Sequence, residues 1–489
     1  MDSQLTSKES FQVARASLSL GVAEVINIVF GVFYFFLVTR LFTKMEMAVV
    51  AVMTVITNLS AVFLSFGFHE ASRKLLPAYA ASGEDSKIGW FLKNTWIIIL
   101  GTSILLALAV FSFAEPLAKI FLRKADGSSV LRLIAWGIVS NKCYETAQHN
   151  LCGLQMFNEM SLGQILSYTV VRLYALALYL STGVNGYIVG LITGQTVITT
   201  WFVFLTRKYF LNRSEITNQL HLFRYSLPFY ANEFIRYGGN QIDTLLVSIF
   251  LRPEVLATYY VVKRFVDYSE SYVNSLLKPL FPKMIALSQG NPEALKRIFF
   301  KSSRYVSLVS IPLVIFLMAL SYFLLDLYGK GKYLSGLPLL LILAGGMLFY
   351  GYQVLFGGAV FVAGQPAETT KMETAQCLVS VLLVFLLTRL YGVNGTAAAK
   401  TLTRISAIIV GWFIGRKLFP FTLDISGITT ALATSLIPAG LLVLLQLWRY
   451  SLSLTALYLA VCTSVFIILS WEFLSGEDKN LLKAMVIQM

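Results

Sequence analysis

Charge is what this sequence has least of: Asp, Glu, Lys and Arg make up 13% of it, about half the share in a soluble domain. Histidine is scarcer still, with His69, His149 and His221 scattered along the chain. No HExxH, Walker A loop, nucleophile elbow or His/Cys metal spacing occurs, so the familiar hydrolase, nucleotidase and metalloenzyme sites have no residues to stand on. Four cysteines (Cys143, Cys152, Cys377 and Cys462) lie inside apolar segments without CxxC spacing. They read as buried thiols rather than as a disulfide framework. Long polar stretches are missing too. The breaks near 69–88, 207–224 and 278–302 are linkers, and no outer loop is large enough for a glycosyltransferase or protease domain. These absences argue against enzymology and for transport.

What is present is apolar surface, at 57% hydrophobic residues and a mean hydropathy of +0.71. No ordinary core uses that much, but lipid does. Aromatics reach 14%, as expected where Trp and Tyr sit at bilayer interfaces. The net charge of +14 fits inner loops and anionic headgroups, not nucleic acid. Runs long enough to span fall at roughly 16–40, 47–68, 89–113, 129–151, 159–180, 185–206, 225–250, 255–277, 303–326, 335–362, 370–389, 395–415, 427–447 and 453–473. The expectation is an all-α membrane protein of about 14 transmembrane helices. Met1–Ser10 is polar and lacks a cleavable signal pattern, so the first helix is expected to act as its own insertion signal. With the N-terminus inside, inner loops and tails collect about 21 Lys and Arg and outer loops about 11. Both termini are therefore expected in the cytoplasm of a multi-pass cell-membrane protein. Asn212-Arg-Ser214 has a glycosylation pattern but falls in such an inner loop.

The chain also repeats itself. Arg15-Ala-Ser-Leu18 matches Arg224-Tyr-Ser-Leu227 at an offset of 209 (224 − 15). The same register pairs Glu24 with Glu233, Leu37-Val38 with Leu246-Val247, Ala48 with Ala257, and Gly183-Val-Asn-Gly186 with Gly392-Val-Asn-Gly395. Six helices per copy is even, so the copies share an orientation. Two six-helix lobes follow, related by a pseudo-two-fold along the membrane normal, with two extra C-terminal helices. The expected divisions are 1–210, 211–420 and 421–489. In such a carrier the substrate site lies between the lobes near the midplane.

Charged groups inside spans are expensive and normally face a cavity or a partner. The seventh span carries Asn232, Arg236, Asn240 and Asp243 on one helix face, with Glu233 beside them and Gly238-Gly239 allowing a local break. Arg236 then either lines a cavity or pairs with Asp243 or Glu233. The eighth span carries Lys263, Arg264, Asp267 and Glu270. Lys263 and Asp267 have the spacing of an i, i+4 pair, which leaves Arg264 unmatched. In the fourth span Lys142 either pairs with Glu145 or serves substrate or proton. Arg172 is a lone mid-span cation in the fifth, and Lys400 and Arg404 in the twelfth read the same way, with packing inside the second lobe the alternative for Arg404. The cavity candidates are Arg236, Arg264, Lys263, Asn240, Arg172, Lys142 and Arg404. Glu24, Glu233 and Asp243 are candidates for a Na⁺- or H⁺-coupled step. No cofactor or metal is expected.

The sequence resembles the polysaccharide transporter, or Wzx-type oligosaccharide flippase, branch of the MOP exporter superfamily. The resemblance covers essentially the whole chain. It is carried by the 6+6+2 helix plan, by Arg224-Tyr-Ser-Leu-Pro228 with Asp243, by Ala257-Thr-Tyr-Tyr260 leading to Pro279 and Pro282, and by Gly392-Val-Asn-Gly395-Thr-Ala-Ala-Ala399. It implies an alternating-access transporter, acting as a monomer among membrane lipids. Such a transporter moves an isoprenoid-diphosphate-linked oligosaccharide from the cytoplasmic to the outer leaflet. Lipid II flippases resemble it too, but their cation in helix one is replaced here by Glu24 and Asn27. A cation-coupled multidrug or metabolite antiporter of the same superfamily is the alternative, and a polysaccharide-assembly enzyme is a weaker third. The mid-span Arg and Lys favour an anionic, phosphate-bearing cargo.

Overall fold

The structure, a computed structural model, describes residues 23–24, 26–124, 127–211, 219–277, 284–285, 292–363, 366–417, 422–448 and 451–473, and every structural statement below is of these. Arg15–Leu18, Asn212–Ser214, Pro279 and Pro282 lie outside them. The elements are helices throughout. In chain order they are α1 (Ile26–Leu41), α2 (Lys44–Phe63), α3 (Phe68–Ala81), α4 (Asp85–Ser112), α5 (Ala114–Phe121), α6 (Ser128–Gly153), α7 (Phe157–Leu166), α8 (Arg172–Leu211), α9 (Gln219–Asn240), α10 (Ile242–Phe250), α11 (Pro253–Leu277), α12 (Pro292–Ala319), α13 (Ser321–Gly329), α14 (Leu337–Ala363), α15 (Pro366–Gly415), α16 (Ile425–Trp448) and α17 (Leu452–Phe473). One π turn, Ser167–Val171, joins α7 to α8.

Seven helical runs are long and apolar enough to cross a bilayer. Their exposed side chains include Leu105, Leu180, Val197, Leu390 and Leu444, a surface suited to lipid rather than water. Helices α6 (26 residues) and α11 (25 residues) are equally long, about 38 Å at 1.5 Å per residue. They fall short only in composition, because they carry Lys142 and Glu145, and Lys263, Arg264, Asp267 and Glu270. Other polar groups of interest, Arg172, Lys400 and Arg404, lie inside runs that pass the apolar test.

Two of the seven runs are folded hairpins, Phe157–Leu211 and Ala367–Gly415. Each reverses at a glycine with nearly the same backbone, Gly183 (φ 68, ψ −152) and Gly392 (φ 62, ψ −143). That region is open essentially to glycine alone. The turns close on Gly186, against the Leu178 carbonyl, and on Gly395, against the Leu387 carbonyl. All of these positions are related by the 209-residue offset. So are the starts of α2 and α11 (Lys44, Pro253), of α6 and α14 (Ser128, Leu337), and of α7 and α15 (Phe157, Pro366). The repeat read from scattered identities is thus an ungapped repeat of helix ends and turns.

Two compact units divide the chain. One comprises the described residues up to Tyr237 with Leu251–Ala257; the other comprises Gly238–Phe250 and those from Thr258 onward. In the first, the legs of the α7–α8 hairpin meet where the Phe202 ring covers Gly163 and where Gly190 lies on Ala175. Missing side chains let the backbones approach. A second core gathers Phe68, Leu76, Ile88, Phe91, Leu92 and Leu222. Helix α2 opens on a capping box: Thr43 Oγ1 accepts from the Glu46 N–H, and Glu46 accepts from the Thr43 N–H at 2.8 Å. In the second unit, Phe299, Leu355, Phe356 and Ala359 form the core between α12 and α14. Asp424 caps α16 by accepting from the Gly427 N–H at 3.1 Å. It also lies 3.8 Å from Arg304 of α12, while its own N–H donates to Ser303 at 2.9 Å.

Candidate functional site

Each unit holds one polar cluster. In the first, a cavity of about 230 Å³ is lined by residues of α2, α3, α4, α6 and α9 together with Ser65. Lys142 of α6 is buried and lies 3.2 Å from Glu145, one helical turn on, while donating to the Ala61 carbonyl at 3.1 Å. Asn141 donates to the other Glu145 oxygen at 2.9 Å. Glu233 of α9 lines the same cavity and is hydrogen-bonded by Ser65. His69 and His149 bring their ring centroids to 3.4 Å. Nothing in the sequence pairs these histidines, because the contact depends on α3 packing against α6. His69 opens α3, outside the apolar runs. Burial, reinforced by Arg73, Lys142 and Arg236, pulls its imidazole down to about 3, so it is neutral at physiological pH.

The second cluster centres on Asp243, near the start of α10 and 1% exposed. Its carboxylate accepts from Lys263 of α11 at 2.9 Å, from the Tyr259 hydroxyl at 2.6 Å and from Lys400 of α15 at 3.0 Å. Lys400 also donates to the Asn240 carbonyl at 2.8 Å. The chain breaks at Gln241 between α9 and α10, which leaves that end-of-helix carbonyl without its helical donor. Buried Thr396, Ala397 and Ala399 give α15 a small face just before Lys400, and such faces permit close helix approach. The Lys263–Asp267 pairing that the spacing allows is not the one Lys263 makes. An exposed i, i+4 pair is worth about 0.3–0.5 kcal/mol, whereas an unpaired buried carboxylate is far costlier, so Lys263 reaches to Asp243 instead.

The remaining candidates are distributed over both units. Arg404 packs inside the second, ion-paired to Glu270 with its guanidinium 5.3 Å over the Tyr350 ring. Arg264 accepts no carboxylate partner; it donates to the Tyr260 hydroxyl at 3.2 Å. In the first unit Arg172 lies over two rings, Tyr168 at 4.6 Å and Tyr34 at 5.3 Å. Arg236 is exposed and makes no hydrogen bond or ion pair to any described residue. Glu24 is exposed near the start of the first described helix. So the structure brings Lys142 and Glu233 together in one cavity, and Asp243, Lys263 and the Asn240 carbonyl together in one cluster. Gln241 was not singled out by the sequence, and Tyr259 entered only as part of the Ala257-Thr-Tyr-Tyr260 pattern, without a role, since neither side chain is ionised.

A family model described as "Polysaccharide biosynthesis protein" matches residues 37–335 of this chain. The chain belongs to that family. A curated relative, the teichuronic acid biosynthesis protein TuaB of Bacillus subtilis (strain 168), is 22% identical over 340 residues, covering 68% of each chain. Among solved structures, the inward closed conformation of the lipid II flippase MurJ superposes with a TM-score of 0.75 at 15% identity, over 93% of this chain and 98% of that one. An inward-facing multidrug resistance MATE transporter of the MOP superfamily gives 0.67 at 14% identity, over 82% and 97%. The likenesses establish the fold: an all-α, multi-pass membrane protein of the MOP flippase and transporter architecture. Family and fold agree with the resemblance drawn from the sequence: a member of a polysaccharide biosynthesis family with the fold of MOP flippases and transporters.

Proposed function

We propose that this protein is an alternating-access flippase. It carries an isoprenoid-diphosphate-linked oligosaccharide from the cytoplasmic to the outer leaflet of the cell membrane, for assembly of a surface polysaccharide. The observation that carries this reading is membership of a polysaccharide biosynthesis family by a chain with a lipid-flippase fold. The charge pattern supports an anionic cargo. Arg236 and Arg264 both lack a carboxylate partner among the described residues, and an uncompensated guanidinium in a span is relieved by a diphosphate. Planar, bidentate donation to phosphate oxygens is the geometry Arg offers and Lys does not. Arg236 and Arg264 are therefore assigned to the diphosphate. Lys142 and Arg404 hold internal ion pairs and are assigned to structure. Arg172, with its ring partners, is assigned to the sugars' path. Both termini lie in the cytoplasm, the lobes are the two rocking halves, and the monomer is the working unit.

The test is reconstitution into vesicles carrying a fluorescent isoprenoid-diphosphate oligosaccharide, with access of an external sugar oxidant as readout. Protein-dependent gain of access to inner-leaflet lipid supports the proposal. Access no faster than in empty vesicles removes it.

A further inference from the structure

Counting hydrogens separates the two lysines around Asp243. An ammonium has three N–H bonds to place. Lys263 places all three: on Asp243 at 2.9 Å, on Thr244 Oγ1 at 2.7 Å and on the Gln241 side-chain oxygen at 3.4 Å. Lys400 places two, on the Asn240 carbonyl at 2.8 Å and on Asp243 Oδ2 at 3.0 Å. Its third N–H has no acceptor among the described residues. The Lys400 side chain also keeps 16% exposure, against 8% for Lys263. An uncharged amine at Lys400 would keep both of its hydrogen bonds, whereas an uncharged Lys263 would leave an acceptor unserved.

The charges point the same way. Asp243, Lys263 and Lys400 together carry one positive charge more than they balance. Of the neighbouring ionisable groups, Glu270 of α11 and Arg404 of α15 neutralise one another in their ion pair. The Tyr259 hydroxyl donates a hydrogen bond to Asp243 and adds no charge. Asp267 acts on Lys263 and Arg264 through space. With Asp267 and Arg264 counted, the group still carries one net positive charge. Of the two lysines on Asp243, Lys400 is the one with an N–H unplaced among the described residues. The lysine that can shed its charge, costly away from water, is therefore Lys400.

We propose that Lys400 is the residue at which the carrier takes up and releases a proton during its cycle. On release, the N–H bond without an acceptor breaks. Its electron pair stays on Nζ and the proton passes to water. The other two N–H groups go on donating to Asn240 and Asp243. Uptake is the reverse. Lys400 sits on α15, whereas its two acceptors flank the break between α9 and α10. Its charge thus governs how firmly α15 grips the broken seventh span, and this is how a proton biases the conformation. The proposal rests on the transport reading and names its coupling ion.

Two measurements test it, one of them independent of cargo. The purified full chain in detergent is treated with formaldehyde and borohydride at the pH used for transport, which alkylates uncharged amines only, and is read by peptide mass spectrometry. Lys400 is expected to take up at least about tenfold more label than Lys263, and the two should label alike once the chain is denatured. Labelling of Lys263 ahead of Lys400, or of neither in the folded protein, overturns the proposal. In vesicles, wild-type flipping should change several-fold when a proton gradient is imposed. Lys400→Arg keeps the charge and the donors but cannot release a proton, so it should lose that response while eluting as a folded monodisperse protein. Lys400→Met should lose it too. Complete loss of flipping in folded Lys400→Arg also counts for the proposal, because a purely structural cation would be replaced by Arg. Retention of the gradient response in either variant rejects it, as does a wild type that ignores the gradient. If wild-type vesicles move no lipid-linked sugar at all, the flippase reading fails, while the labelling still decides the proton exchange.

Discussion

Replacing Asp243 by asparagine should be among the most destabilising single changes in the second unit. The carboxylate lies 2.9 Å from Lys263 and 3.0 Å from Lys400. Both ammonium groups contact the same Asp243 oxygen, so without its charge they face each other within 5.9 Å (2.9 + 3.0), repelling by about 3 kcal/mol or more at an effective dielectric near 20. Breaking a buried ion pair by removing one partner costs about 3–5 kcal/mol in measured cases, so the two routes agree. Lys400→Met should be much milder. It leaves Asp243 and Lys263 as a balanced pair and forfeits two hydrogen bonds, about 1–2 kcal/mol. The double variant Asp243→Asn/Lys400→Met should be more stable than the sum of the single changes requires, because the repulsion disappears with the second cation. The assay is thermal loss of the monodisperse fraction in detergent. An Asp243→Asn midpoint no lower than that of Lys400→Met, or a strictly additive double variant, would refute the reasoning.

Three further outcomes are expected. Gly183→Ala and Gly392→Ala should each lower stability by about 1–3 kcal/mol, since both glycines hold a backbone region that L-residues avoid; thermal melts should show similar losses for the two. His69 charges more readily in the unfolded chain, at the ordinary value of 6.5, than in the folded one, at about 3. Its contribution is therefore full above 6.5 and is lost as pH falls toward 3, and His69→Asn should flatten the acid-induced fall in melting temperature across that window. Arg236→Lys should slow flipping although charge is kept, and Arg236→Ala should slow it more, with both variants folded; full activity in Arg236→Ala would dismiss the assigned role.

Much of the fold was legible because its determinants are local or periodic. Apolar runs mark the spans, and Gly183 and Gly392 mark the hairpins because a backbone constraint admits one residue type. The 209-residue register held from helix starts to turns, so scattered identities such as Ala48 and Ala257, both fully buried, were reporting equivalent packing positions. The polar clusters were legible only as inventories of residues. Spacing offers Asp267 to Lys263, but Asp243 takes it, because a fully buried carboxylate twenty residues away in sequence competes better than a half-buried neighbour one turn on. The i, i+3 pair of Lys142 and Glu145 did form, being local. His69 and His149 meet across two helices, and no sequence pattern encodes that packing. Lys400 stood out only as one cation among several. Its distinctive feature, a spare N–H, depends on where Asn240 and Asp243 end up.

The most direct test of the account is a cargo comparison in one set of proteoliposomes. Three probes would be followed together: a fluorescent isoprenoid-diphosphate oligosaccharide, the same lipid and sugar lacking the diphosphate, and a lipophilic cationic dye. Rapid protein-dependent movement of the diphosphate probe, with little of the other two, is the predicted result. Movement of the cationic dye with indifference to the diphosphate lipid would contradict it and return the protein to the antiporter reading.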